Sequence, residues 1–232
     1  MMNGKIIWLE THVTLKVSIV LPPNMEVRER ILMKAEELFM QFGIRSVSMD
    51  DIASHLAISK KTIYHSFADK NELVDAVIEQ DIHCRQDDCM LCGKKALNAV
   101  HEIFITMENL MEQFQHMNPV VLYDLEKFHV KSYKKFMEFK NQFLLDIIRK
   151  NLEWGIKEEL YRPDIDVEII SKFRLESMML AFNINIFPPA KFNLAHVVQE
   201  IIELYVFGIV TMKGYKMAQK YSLQMKNSFQ KN

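Results

Sequence analysis

Residues 48–67, SMDDIASHLAISKKTIYHSF, contain the most informative local pattern in the sequence. Ser48 is followed three residues later by Asp51, a capping-box spacing that predicts the start of a helix. Apolar residues then recur at helical spacing as far as Leu56. The stretch therefore opens with a short helix over residues 48–56, whose apolar side needs a partner to cover it.

A three-residue turn at 57–59 separates this helix from a second one. Ser59 is the candidate cap of the second helix, which is predicted to run through His65. Ile63 and Phe67 can anchor this helix to the rest of the protein, so its polar side must face outward. Two short helices joined by such a turn form a helix-turn-helix.

The polar face of the second predicted helix has a composition that suits DNA. An α-helix fits the major groove, and lysine and threonine in its first turn can bond base acceptors. Tyrosine and serine hydroxyls suit phosphate oxygens. The same residues would also suit a helix face that is simply solvated, and residues 25–72 contain seven Lys/Arg against eight Asp/Glu. The pattern alone leaves both interpretations open.

The run GIRSVSMDDIASHLAISKKTIYHSFADKNEL, residues 43–73, resembles the signature of the TetR family of bacterial transcription regulators. The matching features extend over about 40 residues and keep fixed spacings. They are K-A-x-x-L-F from Lys34 to Phe39, Gly43, Ile52-Ala53, T-I-Y-x-x-F from Thr62 to Phe67, and D-K-x-E-L from Asp69 to Leu73. The resemblance implies a DNA-binding transcription regulator rather than an enzyme.

The resemblance also implies roles for individual residues. The base-edge candidates are Lys60, Lys61, Thr62 and His65, and the phosphate-contact candidates are Ser48, Tyr64 and Lys70. Ala57 departs from the pattern, because the family often has glycine in this turn. An alanine at positive φ would cost about 1 kcal/mol, which leaves the geometry of the turn open.

Periodicity and composition predict an all-α protein. Only 6 Gly and 6 Pro occur in 232 residues, and the long stretches between them favour helices. About nine helices are predicted. Their ranges are 25–42, 48–56, 60–66, 69–82, 95–115, 119–128, 132–158, 166–184 and 194–220. In the first of them Ile31, Ala35, Leu38, Phe39 and Phe42 share one face, and Gly43 is the predicted end.

The predicted domains are a helix-turn-helix DNA-binding domain at 25–80 and a larger helical domain for ligand binding and dimerisation at 81–232. Residues 1–24 alternate like a strand without a partner strand. They are either a tail that docks elsewhere or an extension upstream of the native start at Met25, and the second interpretation is favoured because a helix can begin at Met25 unaided.

Bulk composition excludes several classes of protein. The net charge of −1 gives no whole-molecule attraction to nucleic acid or to a membrane, so any DNA contact must be local. The longest apolar run, 204–212, is far below the roughly 20 residues that span a bilayer. Three cysteines favour a reducing compartment, and the cytoplasm is expected. No phosphate-binding or nucleophile motif occurs, so neither a catalytic site nor a cofactor is predicted.

The last predicted helix is apolar over more than half of its circumference. Such a helix is buried on most sides, either in a dimer interface or at the centre of a monomer. The resemblance implies a four-helix homodimer interface from 166–184 and 194–213. The two DNA-binding domains, about 34 Å apart, would then bind a palindromic double-stranded operator. The candidate interface residues are Val197, Ile201, Leu204, Tyr205, Gly208 and Ile209.

The resemblance further implies a small-molecule effector that binds in the larger domain and changes the spacing of the two DNA-binding domains. Residues that could line an apolar pocket are Phe104, Met107, Met111, Phe136, Phe139, Phe143 and Trp154. The same residues also fit an ordinary core. No cluster of acids or bases marks a polar ligand site, so an uncharged or amphipathic ligand is favoured. The expected function is a dimeric repressor released by a small hydrophobic ligand.

Two alternatives remain. His83, Cys84, Cys89 and Cys92 could bind a metal or sense oxidants on the same scaffold, although the second ligand pair of a strong zinc signature is missing and no metal site is assigned. A helical protein-interaction module that does not bind DNA is the other alternative, because residues 25–72 carry no positive excess.

Overall fold

The computed structural model describes residues 26–229, with side chains through Met225. Within this range the protein is all-α, as predicted, and the ordered elements are eleven α-helices and one π-helical turn. The helices are α1 Val27–Phe42, α2 Met49–Leu56, α3 Lys60–Ser66, α4 Lys70–Lys95, α5 Ala99–Phe114, α6 Val120–Phe128, α7 Val130–Phe139, α8 Leu145–Lys157, α9 Val167–Leu180, α10 Leu194–Ile209 and α11 Met212–Phe229. The predictions for residues 1–24 and for a start at Met25 lie outside the described residues.

The first four helices enclose one hydrophobic core. Ile31, Ala35, Leu38 and Phe39 of α1 are buried there, and Gly43 ends α1 with φ +86°, as predicted. Phe42 is an exception to the predicted inner face of α1. It is 48% exposed, because it is the last residue of the helix and the chain turns away immediately after it.

Two residues of α6, Val121 and Leu125, are buried in this first core. A second core lies around α5, which packs against α10, α11 and α8. Val100, Phe104 and Met107 of α5 are among its buried side chains. Since α6 belongs to the first core and follows α5 directly, it links the packing of the two cores.

The predicted helix at 69–82 is longer in the structure, where α4 continues to Lys95. Asp69 caps it and accepts a 2.9 Å hydrogen bond from the backbone N–H of Glu72, at the predicted spacing. The region after residue 82 has no clear apolar stripe, so its periodicity does not identify it as helix.

The predicted single helix at 194–220 is two helices, α10 and α11, because the backbone at Val210 is extended. The N–H groups of Arg162 and Thr211 donate 2.9 Å hydrogen bonds to the carbonyls of Ile209 and Leu160. These bonds use backbone groups that a continuous helix would need. Thr211 then starts α11 by accepting a 3.2 Å bond from the N–H of Gly214.

The predicted helix at 132–158 is interrupted by a π-helical turn, Lys140–Leu144, between α7 and α8. Such turns are uncommon and often lie at functional sites. Here the turn holds Lys140 in a buried position. Within residues 26–229, no helix combines the length and apolar character that crossing a bilayer requires.

Candidate DNA-binding face and ligand cavity

The helix-turn-helix starts with the predicted capping box. The Ser48 hydroxyl accepts a 3.1 Å bond from the N–H of Asp51, and the N–H of Ser48 donates to the Asp51 carboxylate at 2.8 Å. The Ser48 hydroxyl also donates to that carboxylate at 2.6 Å. These hydrogen bonds from Ser48 hold the pKa of Asp51 below its usual range. A phosphate contact by Ser48 would therefore have to replace one of its bonds to Asp51.

The turn between α2 and α3 contains a strained residue. Ala57 has φ 53° and ψ 39°, the left-handed conformation that glycine adopts without a Cβ penalty. The sequence left the geometry of this turn open, and the structure shows that Ala57 adopts the left-handed conformation. Ser59 caps α3 as predicted, by accepting a 3.1 Å bond from the N–H of Thr62.

The outward face of α3 presents Lys61, Tyr64 and His65, all of them exposed. Their i, i+3, i+4 spacing places them side by side on one face of the helix. Ile63 and Phe67 are buried on the opposite side and fix α3 against α1 and α2. The predicted division of this helix into a buried and a polar face is confirmed.

Two of the predicted base-edge residues are engaged within the protein. The Lys60 ammonium lies 2.8 Å from the Asp50 carboxylate, and this hydrogen-bonded pair raises the pKa of Lys60. The hydroxyls of Thr62 and Ser59 lie 2.8 Å apart. Lys60 would have to leave Asp50 in order to contact a base.

Lys70 lies at the first position of α4, and its ammonium is 3.4 Å from the backbone carbonyl of Arg45. Burial lowers the pKa of Lys70. Arg45 is a further exposed basic residue in this area, and sequence reasoning missed it. The only sequence signal was a basic residue in the loop three positions before the Ser48 cap.

The loop that carries Arg45 is fixed by α6. The buried Asp124 carboxylate accepts a 2.8 Å bond from the N–H of Arg45 and lies against Gly43. Two residues before α6, the N–H of Asn118 donates a 2.7 Å bond to the carbonyl of Met40. Both contacts join α6 to the segment that leads into the helix-turn-helix.

A cavity of about 250 Å³ is lined mainly by residues of α4 to α10. Its wall is mainly apolar and includes Val121, Leu122 and Leu125 of α6. Val121 and Leu125 also belong to the core of the helix-turn-helix region. α6 therefore contacts both the cavity and the core that supports the candidate DNA-binding face.

The predicted pocket residues divide into two groups. Phe136 and Phe139 line the cavity. The other five are Phe104, Met107, Met111, Phe143 and Trp154, and none of them lines it. Phe104 and Met107 are buried in the second core, on which Met111 and Trp154 pack, because helical spacing alone does not separate a cavity wall from solid core.

Six charged side chains line the cavity, although no polar cluster was apparent in the sequence. They are Asp81, Arg85, Asp88, Glu102, Lys140 and Arg174. They come from four separate elements, α4, α5, the π-helical turn and α9, so their proximity has no local sequence signal.

The thiols near the cavity are poor nucleophiles. Burial raises the pKa of Cys89 to about 11, and it also raises the pKa values of Cys84 and Cys92. Reactive cysteines need a lowered pKa, since the thiolate is the reactive form. Within residues 26–229 no group of three or more His, Cys, Asp or Glu side chains is placed to hold a metal ion.

The candidate interface residues of α10 also divide. Val197, Tyr205 and Ile209 are buried by the chain's own residues and cannot reach a partner in this conformation. Ile201 is half-buried and Leu204 is 77% exposed. A Cβ at Gly208 would have no atom within 4 Å apart from its own helix backbone and chain neighbours. The helix is apolar over more than half of its circumference, and apolarity alone did not distinguish its inner side from its outer side.

Comparison with known proteins identifies the class of this helix-turn-helix. Residues 31–77 match the family model "Bacterial regulatory proteins, tetR family". The HTH-type transcriptional repressor KstR2 of Mycobacterium tuberculosis is 28% identical over 151 residues, which are 63% of this chain and 74% of the relative. The HTH-type transcriptional regulator UidR of Escherichia coli is 26% identical over 153 residues, 64% of this chain and 76% of the relative.

Solved structures share the fold. The structure of KstR2 of M. tuberculosis covers 80% of this chain and 96% of its own, with a TM-score of 0.58 and 19% identity. The structure of FadR from Bacillus subtilis in complex with stearoyl-CoA covers 78% and 98%, with a TM-score of 0.60 and 17% identity. The chain carries the DNA-binding region of the TetR family at residues 31–77. It is a DNA-binding transcription regulator of the TetR type, and not an enzyme.

Proposed function

We propose that the protein is a homodimeric repressor that binds a palindromic operator in double-stranded DNA and is released by a small, largely apolar ligand. Residues 25–80 would bind DNA and residues 81–232 would bind ligand and dimerise, in the cytoplasm where the DNA lies. The observation that carries this proposal is the cavity wall, because two residues of α6 line the cavity and are also buried under the helix-turn-helix.

The coupling follows from these contacts. A ligand that needs a wider cavity would displace α6, and α6 holds the loop before α2 through Asp124 and Arg45. Moving that loop would reposition α2 and α3 relative to a second copy. The ligand needs only a differential affinity of a few kcal/mol between the two arrangements.

The exposed apolar surface supports the dimer. Ile169 and Phe173 lie one turn apart on the outer side of α9, and Leu204 and Gly208 repeat the same spacing on α10. α9 and α10 pack against each other in the same chain. Exposed apolar side chains on two adjacent helices form the kind of patch that a second copy covers.

The sensor alternative through Cys84, Cys89 and Cys92 has no support from the raised thiol pKa values. Replacing all three by serine should leave ligand-induced release unchanged, whereas loss of the response would revive that alternative. The interaction-module alternative predicts no binding to DNA at low salt.

The proposal is tested with labelled DNA from upstream of the protein's own gene. Fluorescence anisotropy should show binding that weakens steeply with salt, and a library of small amphipathic compounds should contain ones that release the DNA. A protein that binds this DNA but is released by none of the compounds would contradict the ligand part of the proposal.

A further inference from the structure

Three cations line the cavity, and two of them already have partners. Arg85 donates through Nε to Asp81 at 2.7 Å, and through Nη1 to Gln113 at 3.1 Å. The Lys140 ammonium lies 2.5 Å from the Glu176 carboxylate. These two charges are compensated inside the protein.

Arg174 differs from the other two. Arg174 is only 8% exposed and makes no ion pair with a described residue. Its buried Nη1 has no hydrogen-bond partner among the described residues. The guanidinium lies over the ring of Tyr205, with Cζ 5.2 Å from the ring centroid. Tyr205 lines the cavity as well. A buried guanidinium without an anion is costly, so this position is suited to receiving one.

The cavity's own acids do not compensate Arg174. Asp81 is paired with Arg85, and Asp88 accepts a bond from Gln113. Glu102 accepts a 2.6 Å bond from Asn151, and burial raises its pKa, which favours the neutral form. The acidic groups of the cavity are thus engaged with other partners, and none of them forms an ion pair with the Arg174 guanidinium.

The rest of the wall is apolar around this charge. Leu144, Ile147 and Ile148 lie on one side, and Leu175 and Met178 follow Arg174 on α9. A ligand that fits must therefore have an apolar body and a single anionic end. Arg is the side chain best suited to a carboxylate or phosphate, since it can donate two parallel hydrogen bonds.

We propose that the cavity binds an amphipathic organic anion, whose oxyanion pairs with Arg174 and whose hydrocarbon body fills the apolar wall. This inference rests on the proposed ligand-released regulator and specifies the chemical class of the ligand. The anionic group is either a carboxylate or a phosphate ester, and probes with the same hydrocarbon chain distinguish the two.

The test measures binding to the full-length protein without DNA, by isothermal titration with octanoate, octyl phosphate and octanol. At least one anionic probe should bind on the order of 10- to 100-fold more tightly than octanol. Arg174→Met should reduce its affinity to that of octanol, and Arg174→Lys should keep part of the preference. Lys140→Met, which removes a paired cation from the same cavity, should keep the preference in full.

The apo Arg174→Met protein should also melt at an equal or higher temperature than the wild type, since it lacks a buried unpaired charge. That result would show that the variant is folded and that its loss of binding is not caused by unfolding. Equal affinity for octanoate, octyl phosphate and octanol, an undiminished preference in Arg174→Met, or no binding of either anion would overturn the inference.

A parallel anisotropy experiment separates this inference from the proposed function. If octanol releases DNA as well as the anions do, ligand-controlled regulation stands and the anion site is wrong. If an anion binds through Arg174 but leaves DNA bound, the site stands and the proposed release mechanism is wrong.

Discussion

The strain at Ala57 is a local cost that a single substitution removes. Ala57→Gly should raise the free energy of unfolding by about 0.5–1 kcal/mol, because glycine adopts positive φ without the Cβ clash. Thermal or urea denaturation measures the change. Ala68→Gly is the matched control, since Ala68 is exposed and has no positive φ. An equal gain in both variants would show that the left-handed turn is not the cause.

Asp50 restrains Lys60 on the candidate DNA-binding face. Asp50→Asn should free the lysine and remove a negative charge near the phosphates, so DNA affinity at low salt should rise about 3- to 10-fold. The slope of log affinity against log salt should steepen by about 0.9 if one more phosphate is neutralised. Asp87→Asn, on the exposed side of α4, should leave the slope unchanged. An unchanged slope in Asp50→Asn would place Lys60 away from the phosphates.

Glu36 makes stability depend on pH. Burial, with the nearby charge of Asp81, raises its pKa to about 7 from 4.5. Between these two values the folded state keeps a proton that the unfolded state loses, so the free energy of unfolding falls as pH rises. The stabilisation is complete below about pH 4.5 and lost by about pH 7, and its size is on the order of 1–3 kcal/mol.

Glu36→Gln should remove this decline, and denaturation between pH 4.5 and 7.5 would show a flatter curve than the wild type. Glu37→Gln provides the control, because Glu37 is exposed and pairs with Lys34. A decline of equal slope in Glu36→Gln would assign the pH dependence to other groups.

At the scale of helices, the outer faces of α9 and α10 should hold the dimer together. Leu204→Glu places a charge in the middle of the proposed interface, where its burial is costly, so the protein should become monomeric. Light scattering coupled to size exclusion measures the mass. Leu97→Glu is a close control, since the two leucines are 77% and 76% exposed. A dimer that survives Leu204→Glu would place the interface elsewhere.

Helix starts could be predicted from the sequence because caps are local. Ser48, Ser59 and Asp69 each bond a backbone N–H three residues ahead, so residue type and spacing are sufficient. The end of α10 could not be predicted in this way. It depends on backbone bonds to Leu160 and Arg162, about 50 positions earlier in the sequence.

Side-chain positions around the sites were harder to predict. Asp50 and Lys60 lie on different helices, and nothing in their sequence separation indicates that they pair. A charged residue inside a helix normally marks the solvated side, yet Arg174 faces the interior. The aromatic residues chosen for the pocket were divided between wall and core by packing that periodicity does not contain.

In the whole molecule, α6 and the long α4 connect the two cores. α4 begins at the DNA-binding face with Lys70 and ends at Lys95, beyond the residues that line the cavity. A rigid helix of this kind can carry a shift from one end to the other. In the proposed mechanism, a ligand in the cavity would shift distant side chains through these two helices.

The outward residues of α3 should contact base edges in DNA, and a selection experiment can show whether they do. Bound sequences are selected from random double-stranded DNA by the wild type, and the affinities of the wild type, Lys61→Ala and Tyr64→Ala are then measured for selected and unrelated DNA over a range of salt. The wild type should select a palindrome. Tyr64→Ala should weaken binding to all DNA alike, whereas Lys61→Ala should lose about 10-fold on the selected sequence and change the sequence preference. If no sequence is enriched and binding does not respond to salt, α3 is an ordinary solvated helix and the claim is wrong.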